Sequence, residues 1–481
     1  MKNVYYIHFA ILVILLTGCS PKNAILEGKV INASGIPIVY NTTLDGIVLP
    51  NRFDTLHLNP DSTFRLILPI NDNEKISFFL CGKRALGSVY LAPGSQNVYI
   101  DASKSNKLKP IGNFEKENEI LRKLTDLNDN VFKLRASIED VFDISRDTIA
   151  ASIYQKLTEY ASTMEQEITG VDHELTKRAT QDIRMHILLA FMNQYFINSN
   201  KGSDKNKKKW NDSYVRMLEF VDINQDENVY SSTFADVISN VAAINIFSQD
   251  GTYIENENER NQIIFNWYKT NLQGRVQATA MGLLFIEDEN SECFATEIPS
   301  LYEKYKKLYP NSILLPIVEK AVAKNKTFNE AELPDGINFL NTDSVHAFKD
   351  ITSLFAGKVI YIDIWATWCG PCRASFADIK PLQTFADSND VVLLYMSIDS
   401  PQKKELWKKM TGYYNLKGQH AIVNEAFKNE VYGLFGDHGY LTIPHYAIIN
   451  KEGILQFPSA ASPKDMDKLI EQLEEASIVT Q

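Results

Sequence analysis

The sequence predicts a multi-domain chain: an N-terminal β-sandwich, a central all-α region and a C-terminal α/β domain. Three observations predict it. The 481 residues exceed what one ordinary core organises. The apolar period changes from two to about three and a half just after Lys109-Pro110. Beyond Leu333-Pro334-Asp335-Gly336, strand patterns alternate with helical ones, as they do in α/β domains. Hydrophobic content of 44% and charged content of 23% belong to a globular protein. The net charge of −11 is spread along the chain, which argues against a nucleic-acid partner. Five cysteines are too few for a disulfide scaffold, so each needs its own explanation.

Residues 1–18 read as a signal peptide. Lys2 supplies the positive start, Tyr5 to Leu16 the apolar run, and Leu16-Thr17-Gly18-Cys19 the small-residue close. This ending resembles the lipobox of bacterial lipoproteins, in which cleavage precedes a cysteine whose thiol takes the lipid. The alternative is an uncleaved anchor with an incidental cysteine, but the run is shorter than the ~20 residues a spanning helix needs. The resemblance implies lipidation at Cys19 and a mature chain in the bacterial envelope, tethered to a membrane and facing the periplasm. Disulfide chemistry is possible there.

Residues 24–105 show short alternating runs at Leu26 to Ile31, Phe64 to Leu68, Lys75 to Leu80, Ser88 to Leu91 and Asn97 to Ile100. Turn signals such as Ser34-Gly35, Asn59-Pro60-Asp61 and Pro93-Gly94 separate them, which predicts a small antiparallel sandwich. Cys81, at a strand end, is expected to be a buried or half-buried free thiol. Residues 112–330 read as a helical domain. Ile120, Leu124, Leu127, Val131, Leu134, Ile138 and Val141 form one amphipathic stripe, and Ile153, Leu157, Tyr160 and Met164 a second. The first stripe suits a helix hairpin or, alternatively, a coiled coil with another chain. Further helices are expected around Arg178 to Phe196, Ser213 to Val221, Asn261 to Leu272 and Ile313 to Ala323. The lysine-rich run Lys201 to Lys209 and the acidic run Glu255 to Arg260 read as solvated loops. Cys293 has no cysteine or histidine at ligand spacing and reads as structural.

In the last domain, 334–481, Val359 to Trp365 is a nearly continuous apolar strand and a helix is expected from Pro371 to Phe385. Val391 to Ile398 is a second buried strand. Helices at Lys403 to Thr411 and Glu425 to Phe435, a hairpin of Tyr446 to Ile449 with Ile454 to Phe457, and a final helix at Lys464 to Ala476 complete it. The first strand runs into Trp365-Ala366-Thr367-Trp368-Cys369-Gly370-Pro371-Cys372-Arg373. A zinc site would need two further ligands, and no second cysteine pair is near. A strand before and a helix after place Cys369 at a helix N-terminus, where unpaired N–H groups stabilise a thiolate. Pro371 suits the first helical turn because its missing N–H would have had no partner. Cys372 follows one turn later, so an exposed attacker and a shielded resolver are expected. An inert disulfide or two core thiols are the bland alternatives.

This segment resembles the active site of the thioredoxin superfamily, and its wording is closest to the TlpA/ResA-like envelope thiol-disulfide oxidoreductases. Gly357-Lys358 before the strand and Ile443-Pro444 before the hairpin agree with that family. The resemblance implies a thioredoxin-like fold and a cis-Pro444. It also implies a substrate-facing surface of Trp368, Gly370, Pro371, Ile443 and Pro444. Asp363 matches the buried acid of thioredoxin proper. The envelope group more often has asparagine there and a glutamate on the active-site helix, where this chain has Ser375. The layout before the domain is similar to thioredoxin-like lipoproteins of the Bacteroidetes group.

The expected chemistry follows. Cys369 attacks a partner disulfide, Cys372 resolves the mixed disulfide, and Asp363 takes the Cys372 proton. His438 and His445 read as a loop and a strand-face residue. The resemblance implies reduction of disulfide-bearing envelope proteins, with an unidentified electron donor, no metal, and no cofactor beyond the redox disulfide. A peroxiredoxin-like thiol peroxidase is an alternative, disfavoured because Ala366 stands three before Cys369 and the Pro-x-x-x-Thr-x-x-Cys setting is missing. The other is a binding lipoprotein with an auxiliary redox domain.

Overall fold

The computed structural model describes residues 22–478 apart from 34, 71–73, 82–83, 92, 104–107, 112–117, 120, 124–148, 169, 171–172, 200–203, 248–256, 343–346 and 437–439. Residues 1–18, read as a signal peptide, together with Cys19, all seven residues of the Ile120-to-Val141 stripe and His438 lie outside the described residues. Among the described residues no helix is long and apolar enough to cross a membrane. The chain forms two compact units, Met1–Ile286 with Glu303–Val318, and Glu287–Tyr302 with Glu319–Gln481. Residues 287–302 and 319–330, expected in the helical domain, thus group with the C-terminal unit.

The first unit begins with strands β1 (Lys22–Ile31), β2 (Ile38–Thr42), β3 (Asp54–Thr55), β4 (Thr63–Ile70), β5 (Lys75–Leu80), β6 (Arg84–Tyr90), β7 (Gly94–Asp101) and β8 (Leu108–Ile111). They form two four-stranded sheets, ordered β4-β1-β7-β8 and β3-β2-β5-β6. Alternating side chains of both, among them Leu26, Phe64 and Val98 from one and Ile38, Phe78 and Leu86 from the other, enter one apolar core. The expectation of a purely antiparallel arrangement is corrected, since β1 and β7 pair in parallel. β8 carries the Lys109-Pro110 pair that marked a border in the sequence. It is an edge strand, where a proline without an N–H is tolerated. Cys81 is exposed and free rather than buried, because it sits one residue beyond β5.

The helices of this unit include Ile149–Glu167, His173–Asn198, Asp204–Val221, Phe234–Phe247 and Glu257–Asn271. The lysine run is not a loop from Asp204 onward. Asn206 and Trp210 are buried on one face of that helix while the lysines occupy the other. Glu257 to Arg260 likewise opens a helix. The helix Phe234–Phe247, not among the expected ones, buries Phe234, Val237, Ile238, Val241 and Ala242 at the three-four spacing of one face, while Asp236 and Ser239 stay exposed on the other.

The second unit holds a six-stranded sheet of order β14-β13-β10-β11-β12-β9. Its strands are β9 (Ile337–Phe339), β10 (Ile360–Trp365), β11 (Val392–Ser397), β12 (Gly418–Ile422), β13 (His445–Ile449) and β14 (Leu455–Phe457). β10, β11, β12 and β9 run parallel, whereas β13 joins β10 antiparallel and β14 completes the hairpin. All six residues of β10 are buried, as suits a central strand covered on both faces. The single helix expected from Pro371 to Phe385 is instead Gly370–Ser375, a 3₁₀ turn and Ile379–Asn389. Pro381 is the reason: its ring cannot follow a helical carbonyl four residues back, yet it fits the first turn of a new helix.

Candidate active site

β10 aims the chain at the site. Its C-terminal end is Trp365, and the buried loop residues Ala366 and Thr367 lead to Trp368, which is 65% exposed. Cys369 adopts an extended backbone and is the N-cap of the helix Gly370–Ser375. Its Sγ accepts from the Cys372 backbone N–H at 3.1 Å, and Pro371 occupies the first turn. The two cysteines form a disulfide with Cα atoms 5.3 Å apart. Exposure is 4% for Cys369 and 0% for Cys372. The expected contrast between an exposed and a buried sulfur is therefore slight in the disulfide state. The Cys369 sulfur folds back over the first turn to reach its partner, and Trp368 takes the exposed position.

The Ile443–Pro444 bond is cis. Register places it at the same end of the sheet as the cysteines, since His445 pairs with Ile364 and Pro444 lies one step further. His445 closes on the Pro458 carbonyl with Nε2 at 2.7 Å, a strand-face residue with a local partner.

Asp363 shares a face of β10 with Tyr361 and Trp365 because side chains alternate along a strand. The Trp365 ring packs edge-on against Phe376, just after the active-site helix, at 5.2 Å between centroids. That face therefore lies beneath the segment that carries the cysteines. Asp363 is 1% exposed and neither carboxylate oxygen has a hydrogen-bond partner. Its register neighbours are Tyr395 and Tyr446, and neither brings a cation. Burial alone pushes its carboxyl up to about 8. His420, stacked on Tyr395 at 4.8 Å, does not compensate either, because burial holds its ring down at about 4 and hence neutral.

Residues 331–469 match the family model described as Redoxin. They form a domain of the thioredoxin superfamily. A thioredoxin of Coprinus comatus is 38% identical over 53 residues, 11% of this chain and 48% of that protein. Thioredoxin-like protein YneN of Bacillus subtilis is 26% identical over 101 residues, 21% of this chain and 55% of that protein. The chain spans about half the length of the curated relatives it matches. Among solved structures, a thiol:disulfide interchange protein from a Bacteroides species has 19% identity. That alignment covers 27% of this chain and 76% of that one, with a TM-score of 0.21.

Two supports of this thioredoxin-superfamily site escaped sequence reasoning. Asp399, 2% exposed, accepts from Thr367 N and Thr367 Oγ1 at 2.8 Å each and from Ser397 Oγ at 2.7 Å. It holds the loop between β10 and Cys369 to the end of β11. The contrast with Asp363 is chemical: one buried carboxylate is fully hydrogen-bonded, the other has none. The second support is Arg373, whose Nη1 donates to the carbonyls of Thr367 at 3.3 Å and Ser291 at 2.6 Å. Its Nε lies 3.1 Å from Glu292 Oε2. Ser375 donates back to the Cys372 carbonyl at 2.6 Å. Ser291 Oγ donates to Cys293 Sγ at 3.2 Å.

Proposed function

We propose that the protein is a thiol-disulfide oxidoreductase that reduces disulfides of envelope proteins through Cys369 and Cys372. The observation that carries this reading is Cys369 as the cap of a helix, its sulfur facing the Cys372 N–H. That donor and the positive helix end favour a thiolate on Cys369 once the disulfide is reduced. The thiolate attacks a partner disulfide, displacing one partner thiolate and leaving a Cys369–partner bond. Cys372 gives up its proton, attacks Cys369 Sγ and expels the second partner thiolate. Two electrons thus pass to the partner, the protein is left with the Cys369–Cys372 disulfide, and a separate dithiol donor restores it.

Asp363 is the acceptor of the Cys372 proton in this scheme, through a water or directly. An acid pushed up to about 8 suits a thiol whose ordinary pKa is ~8.5. Trp368, Gly370, Pro371, Ile443 and Pro444 form the surface for an extended substrate segment, whose backbone pairs beside the cis-proline. No metal or organic cofactor enters the scheme. A lipid on Cys19, left by removal of residues 1–18, tethers the chain to a membrane of the bacterial envelope, facing the periplasm. In the sequence, the strands of residues 24–105 and the helices that follow them stand between the tether and the redox domain.

Trapping tests the assignment. Cys372→Ser should accumulate a mixed disulfide with partner proteins, visible on non-reducing gels and lost on reduction. Cys369→Ser should accumulate none. Trapping through position 372 in the Cys369→Ser protein would reverse the roles.

A further inference from the structure

We propose that Glu292, which lies outside the residues matched to the family, is a positioning residue that sets the thiolate character of Cys369 through Arg373. The inference rests on the oxidoreductase reading and adds a control to it. Arg373 lies one helical turn after Cys369, and its backbone N–H donates to the Cys369 carbonyl at 3.1 Å. Its guanidinium runs back over the loop: Nη1 reaches the Thr367 carbonyl, and Nη2 lies 3.9 Å from where a Gly370 side chain would begin. The cation therefore flanks Cys369 on both sides in sequence. A neighbouring positive charge favours a thiolate, and a carboxylate on that charge weakens the effect.

Glu292 supplies the carboxylate, in the same compact unit. Both side chains are mostly withdrawn from solvent, 13% exposed for Arg373 and 20% for Glu292, so the pair is less screened than a surface one. The Tyr414 hydroxyl donates to the same Oε2. Lys324 approaches Oε1 at 3.9 Å, and Tyr413 and Glu289 are the other titratable groups nearby.

The backbone at Glu292 points the same way. The helix Gly274–Ser291 ends there, with Glu292 N donating to Glu289 O at 3.2 Å and Cys293 N to Asp288 O at 3.2 Å. This is the Schellman ending, and its left-handed position, φ 53° at Glu292, is the one glycine fills at least cost. A glutamate there goes against backbone preference, and its side chain reaches Arg373 and Tyr414.

The full chain tests this with Glu292→Gln and Glu292→Gly. Glutamine keeps a hydrogen-bonding side chain without charge. Glycine relieves the left-handed backbone, so the fold is retained while the charge is lost. The readouts are the equilibrium of the Cys369–Cys372 couple against glutathione and the pH profile of Cys369 alkylation by iodoacetamide in the reduced protein. Either variant should shift the equilibrium about threefold to tenfold toward the dithiol, or about 14 to 30 mV at 29.6 mV per tenfold. The alkylation profile should move to lower pH. Arg373→Gln should move both in the opposite direction. A folded Glu292→Gly protein with an unchanged profile and an unchanged equilibrium would overturn the proposal. Loss of the oxidoreductase reading looks different: partner trapping fails, while the alkylation shift persists.

Discussion

At the scale of the residue, Asp363 carries the sharpest consequences. Its carboxyl is pushed up to about 8 in the fold, against ~3.9 in an unfolded chain. Between these values the unfolded state binds fewer protons than the folded one, so Asp363 makes stability fall as pH rises from ~4 to ~8, and no further above that. Asp363→Asn removes the ionisation. The variant should be more stable than the parent by up to about 4 kcal/mol at pH 7, with no gain below pH 4. Thermal melts of both oxidised proteins across pH 4 to 9 measure this; parallel curves would remove the ionisation argument. The same change should slow resolution of the mixed disulfide about a hundredfold, the low end for a general base. The parent's resolution rate should climb up to an inflection near pH 8 that the variant lacks, in stopped-flow traces. Asp363 was legible in the sequence because an acid inside an unbroken apolar run has few other places to go. Glu292 was not, since only the folded chain brings it to Arg373.

Elements explain how the site keeps its shape. The loop Ala366–Trp368 closes one backbone bond of its own, Cys369 N–H to the Ala366 carbonyl at 3.0 Å, and Asp399, just past β11, supplies the acceptors for Thr367. Asp399→Ala removes the acceptors of the buried Thr367 N–H and of the Thr367 and Ser397 hydroxyl hydrogens, each loss costing about 1–3 kcal/mol. The oxidised C-terminal unit should then unfold at markedly lower denaturant, with the midpoint as the measurement. Asp399→Asn, which can satisfy the same groups after the hydroxyls rotate, should lose much less. Equal midpoints for the two variants would mean that the loop is held by packing instead. The strand, the paired cysteines and the helix start were readable because each has a local signature: an apolar run, a spacing and a first-turn proline. The Asp399 anchor has none, since the atoms it joins are more than thirty residues apart in sequence. The break at Pro381 was readable in principle, because a proline about ten residues into a helical stretch cannot follow the carbonyl four residues back.

For the whole molecule, the change of period near residue 110 falls within β8, with helices following among the described residues, and residues 333–336, read as a domain border, lie inside the second compact unit just before β9. Strand pairing was a different matter. Period-two alternation reports which face a residue occupies and says nothing of its neighbour, so the parallel β1–β7 pair could not be read from it. The proposed tether carries its own test: Cys19→Ala should leave the membrane fraction while the Cys369–Cys372 couple titrates unchanged. Retention in the membrane would refute the lipid assignment.

That parallel pair has a consequence for how the chain comes together. β1 is an inner strand of its sheet, with β4 on one side and β7 on the other. Its residues Ala24 to Ile31 align with Gly94 to Asp101, some seventy positions later. Contacts that distant close slowly, because loop entropy is lost before any pairing energy returns. A chain emerging N-terminus first must hold β1 half-paired until β7 arrives, exposing one row of peptide groups and an apolar face in the meantime. The first strand to appear is thus among the last to be completed. In that interval the nascent chain is most open to chaperones, to proteases and to pairing with another copy of itself.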